Sequence, residues 1–542
     1  MAQRLVSGIA IEQESGPGRA IARVPTSSAA FVGRTLKGPV SRPREIHSFQ
    51  EFTQIFGGLW QPAPLPYAVE QFFENGGRKA IIVRVANSGR PPTLTLPAGS
   101  GSLALAGLAP GSREYLRASV DYDGIGDRER DRFNLVVQRV RAPGSEYVED
   151  QEIFRRLSVT EQSSRFVADV LPESRLVRLA GAVPPERPEV TPSPTGSAAI
   201  GYVASRTDGD DGGPLSDYDI IGSAVEGTGI FALRAMPNFG LLCIPPLARD
   251  QDVGASTLLV AGRFCREHHA MLVVDPPASW TSADLALAGM RDWPYRSDSA
   301  LMYFPRVLAF DRLRGRYETF GSCGAAAGMI ARADEAWPVW AAAEAEEAVL
   351  RPGLKPACLL SESDRVRLAA VGINTLSATR QTTRSDVAPR TLAAGSQGNS
   401  DWKYLSARRL ALFLTASIER GTRWMLLERN RPDIWRQARA QVESFLAGLH
   451  GEGAFAGHDP HESYFVICDH RLNSPESIAA GRVSLLFGFA AMRPGEFHTF
   501  LVTHQPGGSR VRQVTVNRLT ISARNVEVEI ETAVLRGLVA LA

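Results

Sequence analysis

Residues 29–86 read AAFVGRTLKGPVSRPREIHSFQEFTQIFGGLWQPAPLPYAVEQFFENGGRKAIIVRVA, and this stretch decides the fold. An apolar strand leads through a Gly-Pro turn and a polar crossover to a Gly-Gly corner. An amphipathic helix is predicted from Tyr67 to Glu74, because Pro66 precedes it and Asn75 with two glycines ends it. A buried strand, Ala80–Val85, follows. The order of elements predicts an α/β segment in which no residue suggests a reaction.

Size and composition describe an ordinary globular protein of several domains. The chain has 542 residues, 44% of them hydrophobic and 22% charged, which is too long for one ordinary core. Lys plus Arg (60) nearly balance Asp plus Glu (58), which argues against a nucleic-acid binder. Five widely spaced cysteines without a C-x-x-C pair are typical of reduced, buried thiols.

The sequence also predicts where the protein is made. No apolar run approaches the roughly 20 residues that cross a bilayer, so no membrane insertion is expected. Glu12 and Glu14 fall where a signal peptide needs its apolar stretch. We therefore expect synthesis in the cytoplasm without export by the general secretory route.

Shifts in composition divide the chain into six segments. The boundaries rest on a Gly/Pro/Ser-rich stretch after the first core segment and on the proline-dense PPERPEVTPSPTG. The predicted segments are an N-terminal arm (1–28), a first core segment (29–90), an inserted β-rich domain with linkers (91–198), an α/β middle domain (199–399), a C-terminal core (400–505) and a C-terminal arm (506–542).

Patterning within these segments predicts an α/β and α+β multidomain protein. Leu241–Ile244 and Met271–Val274 are short apolar runs before Pro-Pro, typical of buried parallel strands, with a helix between them. Apolar stripes from Leu410 to Ile418 and from Trp435 to Leu449 predict two long helices. We interpret both stripes as ordinary core packing.

Both ends of the chain read as strands without enough apolar mass to pack alone. Ile9 and Ile11 belong to short alternations near the N-terminus, and Val526, Val528 and Ile530 alternate with glutamates near the C-terminus. A half-buried terminal strand needs a partner for its backbone. That partner is either another subunit or another strand of the same subunit.

The search for chemistry finds no catalytic motif. No phosphate-binding loop, nucleophile elbow or H-E-x-x-H is present, so no cofactor is expected. His458, His461, Asp469 and His470 fit no metal template. Glu267-His268-His269 is interpreted as a helix end. A hydrolase on the 199–399 segment remains the alternative function, although no nucleophile motif with a placed base supports it.

Three blocks of the sequence resemble the contractile tail sheath family of phages and phage-derived injection machines. They are residues 29–86, TGIFALRAMPNFGLLCIPP (228–246), and DWKYLSARRLALFLTASIERGTRWMLLERNRPDIWRQARAQVESFL (401–446), which continues through YFVICDHRLNSPESIAAGRV to MRPGEFHTFLV. The resemblance covers most of the chain. It departs at His470-Arg471-Leu472, where relatives tend to be Thr/Glu-rich, and in a longer tail after His504.

The resemblance implies a structural subunit rather than an enzyme. It implies a subtilisin-like middle domain without a catalytic triad, strand-donating arms, and six-fold rings of subunits stacked helically around an inner tube. Further implied partners are baseplate and terminal cap proteins, with no direct nucleic acid. The expected setting is a phage tail or tail-like particle assembled in the bacterial cytoplasm. Arg408, Arg409 and Arg420, on one predicted helix, become candidates for inner-tube contact.

Overall fold

The computed structural model describes residues 20–193, 200–236, 238–341, 349–378, 388–394, 401–522 and 525–530, with backbone alone from Val516 onward. Strands and helices are numbered along the chain. Among these residues, none of the helices combines the length and apolar character needed to cross a bilayer.

The centre of the molecule is a seven-stranded sheet in the described part of the chain. Its order is β17-β13-β12-β11-β1-β3-β2, with all neighbours parallel except the edge strand β2. The strands are β1 (Ala29–Gly33), β2 (Arg44–Ile46), β3 (Ala80–Arg84), β11 (Leu241–Cys243), β12 (Met271–Val274), β13 (Ala300–Phe304) and β17 (Ile373–Thr375).

This sheet joins two segments that the sequence analysis had separated. β1 pairs with β3 on one side and with β11, about two hundred residues later, on the other. Residues 29–90 and 199–399 are therefore one domain, not two, because every buried central strand needs partners on both edges. The predicted strands and the continuous apolar runs within them are confirmed.

Helices cover both faces of the central sheet. One face packs against α1, α2 and α7, and the other against α4, α5, α6 and α8. Pro66 lies inside the first turn of α2 rather than before it. The helices are α1 (Phe49–Phe56), α2 (Leu65–Glu74), α4 (Asp217–Ile221), α5 (Ala255–Glu267), α6 (Ala283–Arg291), α7 (Cys323–Ala336) and α8 (Glu362–Ala370).

A β-rich domain is inserted between β3 and β11. It has its own apolar core between two sheets, ordered β10-β6-β7-β8 and β4-β5-β9. Its elements are β4 (Thr93–Ala98), β5 (Gly101–Gly107), β6 (Tyr115–Asp121), β7 (Arg132–Val140), β8 (Val148–Ser158), α3 (Val167–Val170), β9 (Val177–Leu179) and β10 (Val203–Ala204).

Buried charged side chains attach the base of the inserted domain to the α/β domain. Arg84 is 1% exposed and donates to the carbonyls of Gly38 (2.6 Å) and Pro110 (2.7 Å). Burial lowers its pKa to about 10. Lys37 pairs with Glu149 of β8, and both side chains are 11% exposed. These contacts link the turn after β1 to the insertion.

The C-terminal domain is an antiparallel sheet, β18-β19-β20-β21, packed against two long helices. Both predicted helices are confirmed. The elements are α9 (Leu405–Gly421), α10 (Pro432–Gly451), α11 (Pro460–Ser463), β18 (Tyr464–Ile467), α12 (Pro475–Ala479), β19 (Val483–Ala490), β20 (Phe497–Gln505) and β21 (Gly508–Val514).

Three smaller groups complete the described elements. A three-stranded sheet combines β14 (Val307–Asp311), β15 (Arg316–Phe320) and β16 (Lys355–Pro356), and a separate ribbon combines β22 (Val516–Ser522) with β23 (Asn525–Ile530). Four 3-10 turns occur at Leu171–Glu173, Gly229–Ala235, Asp401–Lys403 and Arg423–Leu426.

Candidate interaction surfaces

The active sites of α/β enzymes usually lie at the carboxyl edge of the central sheet. In this protein the polar residue at that edge, Asp275, caps the N-terminus of α7. The carboxylate of Asp275, directly after β12, accepts hydrogen bonds from the backbone N–H groups of Ser322 (2.5 Å) and Cys323 (2.7 Å) at the start of α7. The Ser322 hydroxyl donates to the Tyr303 carbonyl (2.8 Å). The Ser322 hydroxyl is thus bonded to a backbone carbonyl, and no histidine bonds to it among the described residues. This arrangement differs from that of a catalytic serine, whose hydroxyl is bonded to a histidine base.

The histidines that the sequence analysis considered do not form a site either. His458, His461 and His470 are exposed, and no group of three His, Cys, Asp or Glu side chains in the described ranges could hold a metal. His268 stacks on Phe264 with ring centroids 4.1 Å apart. Burial lowers the pKa of His269 to about 4, so this ring stays neutral at physiological pH.

All five cysteines are free thiols, and four of them are buried, as predicted. Burial raises the pKa of Cys265 and of Cys468. A thiol is a nucleophile only as the thiolate. These side chains therefore behave as small core residues.

Residues 20–28, the described part of the predicted N-terminal arm, form a strap on their own subunit. Ile21 and Val24 are buried in the core of the C-terminal domain. The Val24 N–H donates to the Ser417 hydroxyl (3.2 Å). A Cβ at Gly421 would lie 2.8 Å from Ile21, so glycine leaves the room that the strap needs. Ile9 and Ile11 lie outside the described residues.

Two of the three arginines proposed to contact an inner tube are engaged within the subunit. Arg408 is 8% exposed, donates to the Ser299 hydroxyl (3.0 Å) and lies 3.5 Å from the Asp298 carboxylate. Arg409, 11% exposed, binds Asp334 of α7. In this conformation both guanidinium groups are engaged within the subunit and neither faces outward. Arg420 is half-buried in the last turn of α9.

The boundary between the C-terminal domain and the C-terminal arm lies near residue 515, whereas the predicted boundary was between residues 505 and 506. β21 is the fourth strand of the C-terminal sheet and buries Val514, so residues 508–514 belong to the domain. The alternating strand with Val526, Val528 and Ile530 is β23, which pairs antiparallel with β22 of the same chain. The backbone groups along one edge of β23 are thus paired within the subunit. A two-stranded ribbon by itself is marginally stable.

The hairpin formed by β14 and β15 was not predicted from the sequence. Phe310, Leu313 and Tyr317 on it are 51%, 49% and 57% exposed. Three arginines at positions 312, 314 and 316 within five residues were the available signal. Without the fold they are indistinguishable from an ordinary solvated turn.

The fold that these elements form is that of tail sheath proteins. Two solved structures carry this finding. The sheath tail protein Lin1278 from Listeria innocua is 12% identical with a TM-score of 0.57, and the match covers 91% of this chain and 96% of that protein. The PVC sheath complex of an extracellular contractile injection system, in its contracted state, is 16% identical with a TM-score of 0.50, covering 92% and 97%.

Sequence comparison adds nothing to this structural likeness. No family model matches the sequence, and no curated protein is similar enough to match it. At such low identity the likeness establishes the fold. The fold-level resemblance expected from the three sequence blocks is therefore confirmed.

Proposed function

We propose that this protein is the structural sheath subunit of a contractile injection apparatus. Copies of the chain polymerise into a helical tube around an inner tube, and contraction drives the inner tube through a target envelope. The proposal rests on the likeness to two sheath structures, in each of which the match covers more than nine-tenths of this chain and of the sheath protein. The subunit needs no cofactor and performs no catalysis.

Contacts at the ends of the chain support assembly by strand exchange. The β22–β23 ribbon pairs only with itself in the described chain, and such a ribbon gains stability when a further strand adds to its open edge. Each backbone hydrogen bond nets roughly 0.5–1.5 kcal/mol. Repeated around a ring and along a tube, such contacts hold a lattice together by multivalency. In this proposal Val526, Val528, Ile530, Ile9 and Ile11 belong to the exchanged strands.

Partners follow from the same proposal. They are further copies of the chain in stacked six-fold rings, an inner tube protein, a baseplate and a terminal cap. Arg420 remains our candidate for contact with the inner tube. The particle assembles in the bacterial cytoplasm as a phage tail or a tail-like machine. Contraction draws on a strained extended lattice that is triggered from the baseplate, so no nucleotide is consumed.

Negative-stain electron microscopy tests the proposal. The protein is expressed alone and together with the tube-like protein encoded by a neighbouring gene. Hollow, striated tubes are expected, with the inner tube present in the co-expressed sample. A discrete particle that never polymerises would contradict the proposal and favour the hydrolase alternative on residues 199–399.

A further inference from the structure

The strap, residues 20–28, crosses from the C-terminal domain to the α/β domain. At one end Ile21 and Val24, 6% and 8% exposed, are buried in the core of the C-terminal domain. At the other end the Ser28 carbonyl accepts from the Gly240 N–H (2.9 Å), just before the chain enters β1. The strap is therefore fixed to both domains.

Polar side chains add a contact of the strap with each domain. Arg23 pairs with Glu452, directly after α10, and the two side chains are 50% and 45% exposed. The Thr26 hydroxyl donates to the carboxylate of Asp334 in α7 (2.7 Å). An exposed ion pair contributes little to stability, and a hydrogen bond within the protein replaces one with water. These polar contacts can therefore be exchanged for water when the strap lifts.

Two glycines, one in each domain, leave room for the strap. A Cβ at Gly421 of α9 would lie 2.8 Å from the Ile21 side chain, and a Cβ at Gly240 would lie 2.0 Å from the Thr26 carbonyl oxygen. Both distances are shorter than a normal contact between non-bonded atoms. A larger residue at either position would therefore displace the strap.

The middle of the strap is packed less tightly than its ends. A cavity of about 20 Å³ lies there, and its walls include residues 24–26 of the strap, Phe239 and Gly240 of the α/β domain, and Leu412 and Phe413 of α9. This volume is enough for about one water molecule. The atoms that line such a space lack contacts on one side, so less contact is lost there when the strap detaches.

The domain junction that the strap spans combines polar and apolar contacts. Leu405 and Leu412 of α9 join the apolar core beneath α2 and α7. Arg408 and Arg409 of the same helix make polar contacts with the α/β domain. Domains that meet through a small or partly polar interface usually move relative to each other. An additional connection across the junction therefore has a movement to restrain.

We propose that the strap is a latch that holds the C-terminal domain against the α/β domain. When residues 20–26 detach from the C-terminal domain, the two domains move relative to each other while each stays folded. Ile9 and Ile11, assigned above to an exchanged strand, precede the strap in the chain. A pull from a neighbouring subunit therefore reaches the latch before it reaches β1. This last step rests on the proposed function, whereas the latch within one subunit does not.

Gly421→Ala tests the latch, because the added methyl group occupies the space of the Ile21 side chain. Hydrogen exchange of the unassembled chain should show the Val24 amide exchanging on the order of tenfold faster or more. Amides of β12 and β19, in the cores of the two domains, should keep their protection. The matched control is Gly448→Ala in α10, where a Cβ meets nothing within 4 Å, and it should behave as the wild type.

Distances between the domains provide the second measurement. Spin labels are attached through Leu285→Cys and Leu427→Cys, which are 49% and 77% exposed on the α/β and C-terminal domains, in a chain that also carries Cys358→Ser. Electron–electron double resonance should give one narrow distance distribution for the wild type and for Gly448→Ala. Gly421→Ala should add a second, broader population.

A second variant, Ile21→Ala with Val24→Ala, loosens the strap without altering α9 and should give the same two changes; it decides the question if Gly421→Ala does not fold. Fast exchange of the strap with unchanged label distances would overturn the latch, because the strap would then cover the junction without holding it. Wild-type behaviour of both variants would overturn it too. Both measurements use single subunits, so a chain that forms no tubes contradicts the proposed function and leaves the test of the latch intact.

Discussion

At the scale of single residues, buried charges hold the domains of this subunit together. Asp334 of α7 is 5% exposed and accepts from Arg409 of α9 (2.7 Å) and from the Thr26 hydroxyl (2.7 Å). One carboxylate thus joins the α/β domain, the C-terminal domain and the N-terminal strap. Removing one partner of such a pair leaves the other charge buried and unpaired.

We therefore expect Asp334→Ala to lower the free energy of unfolding by about 3–5 kcal/mol. Urea denaturation followed by circular dichroism measures this loss. The double variant Asp334→Leu with Arg409→Met, which removes both charges, should recover most of it. A single variant as stable as the wild type would mean that the pair contributes nothing to the junction.

A second residue-scale effect depends on pH. Burial, followed by the nearby Glu74 carboxylate, raises the pKa of Glu70 to about 7, against the opposing effect of Arg312. The folded protein therefore binds this proton more tightly than the unfolded chain, so stability decreases as pH rises from about 4.5 to about 7. Above about pH 7 both the folded and the unfolded protein have lost this proton, so the loss of stability is complete and no longer changes with pH.

Glu70→Gln removes this cost, because the amide carries no charge. We expect it to raise stability by on the order of 2 kcal/mol at pH 8 and to have little effect at pH 5. Thermal melts at the two pH values provide the measurement, with the exposed Glu362→Gln as the matched control. An equal effect of Glu70→Gln at both pH values would contradict the assignment.

At the scale of elements, the two ends of the chain differ in what they contribute. The strap at residues 20–28 buries Ile21 and Val24 in its own subunit, and β21 completes its own sheet. Only the β22–β23 ribbon stands apart from the larger sheets among the described strands. A deletion that tests the arm must therefore spare residues 508–514.

Truncation after residue 515 should leave a folded monomer that forms no long tubes. The ribbon contributes no strand to the C-terminal sheet, so the melting temperature should change little. Truncation after residue 505 is the contrast, because it also removes β21 and should destabilise the domain. Normal tubes from the 515 truncation, seen by electron microscopy, would contradict the assignment of the C-terminal arm.

At the scale of the whole molecule, the inserted domain is a separate body on a short neck. Its two connections run side by side, with antiparallel bridges between Asn87 and Gly213 and between Arg90 and Asp210. Its apolar core is its own. Such an insertion can be removed without opening the core from which it projects.

Replacing residues 91–209 by two glycines should leave a chain that folds cooperatively and still assembles into tubes. Some stability is lost, because Arg84 loses the Pro110 carbonyl and Lys37 loses Glu149; a buried unpaired donor costs about 1–3 kcal/mol. Calorimetry and electron microscopy measure the two outcomes. A folded chain without tubes would mean that the insertion is part of the lattice.

The sequence by itself determined the elements, because their signals are local. The strand runs at Ala29 and Leu241, the stripes of α9 and α10 and the alternation of β23 depend on spacing and turn residues that neighbouring positions provide. The lack of a catalytic motif was equally visible, and so were the three blocks that resemble sheath proteins.

Only the tertiary structure decided which strands pair and which side chains are in contact. It made one sheet from β1 and β11, buried Arg408, and turned Arg409 inward onto Asp334. These are contacts between residues far apart in the chain. An arginine has the same local pattern whether it faces water or a distant carboxylate, and only the packing of the domains distinguishes the two.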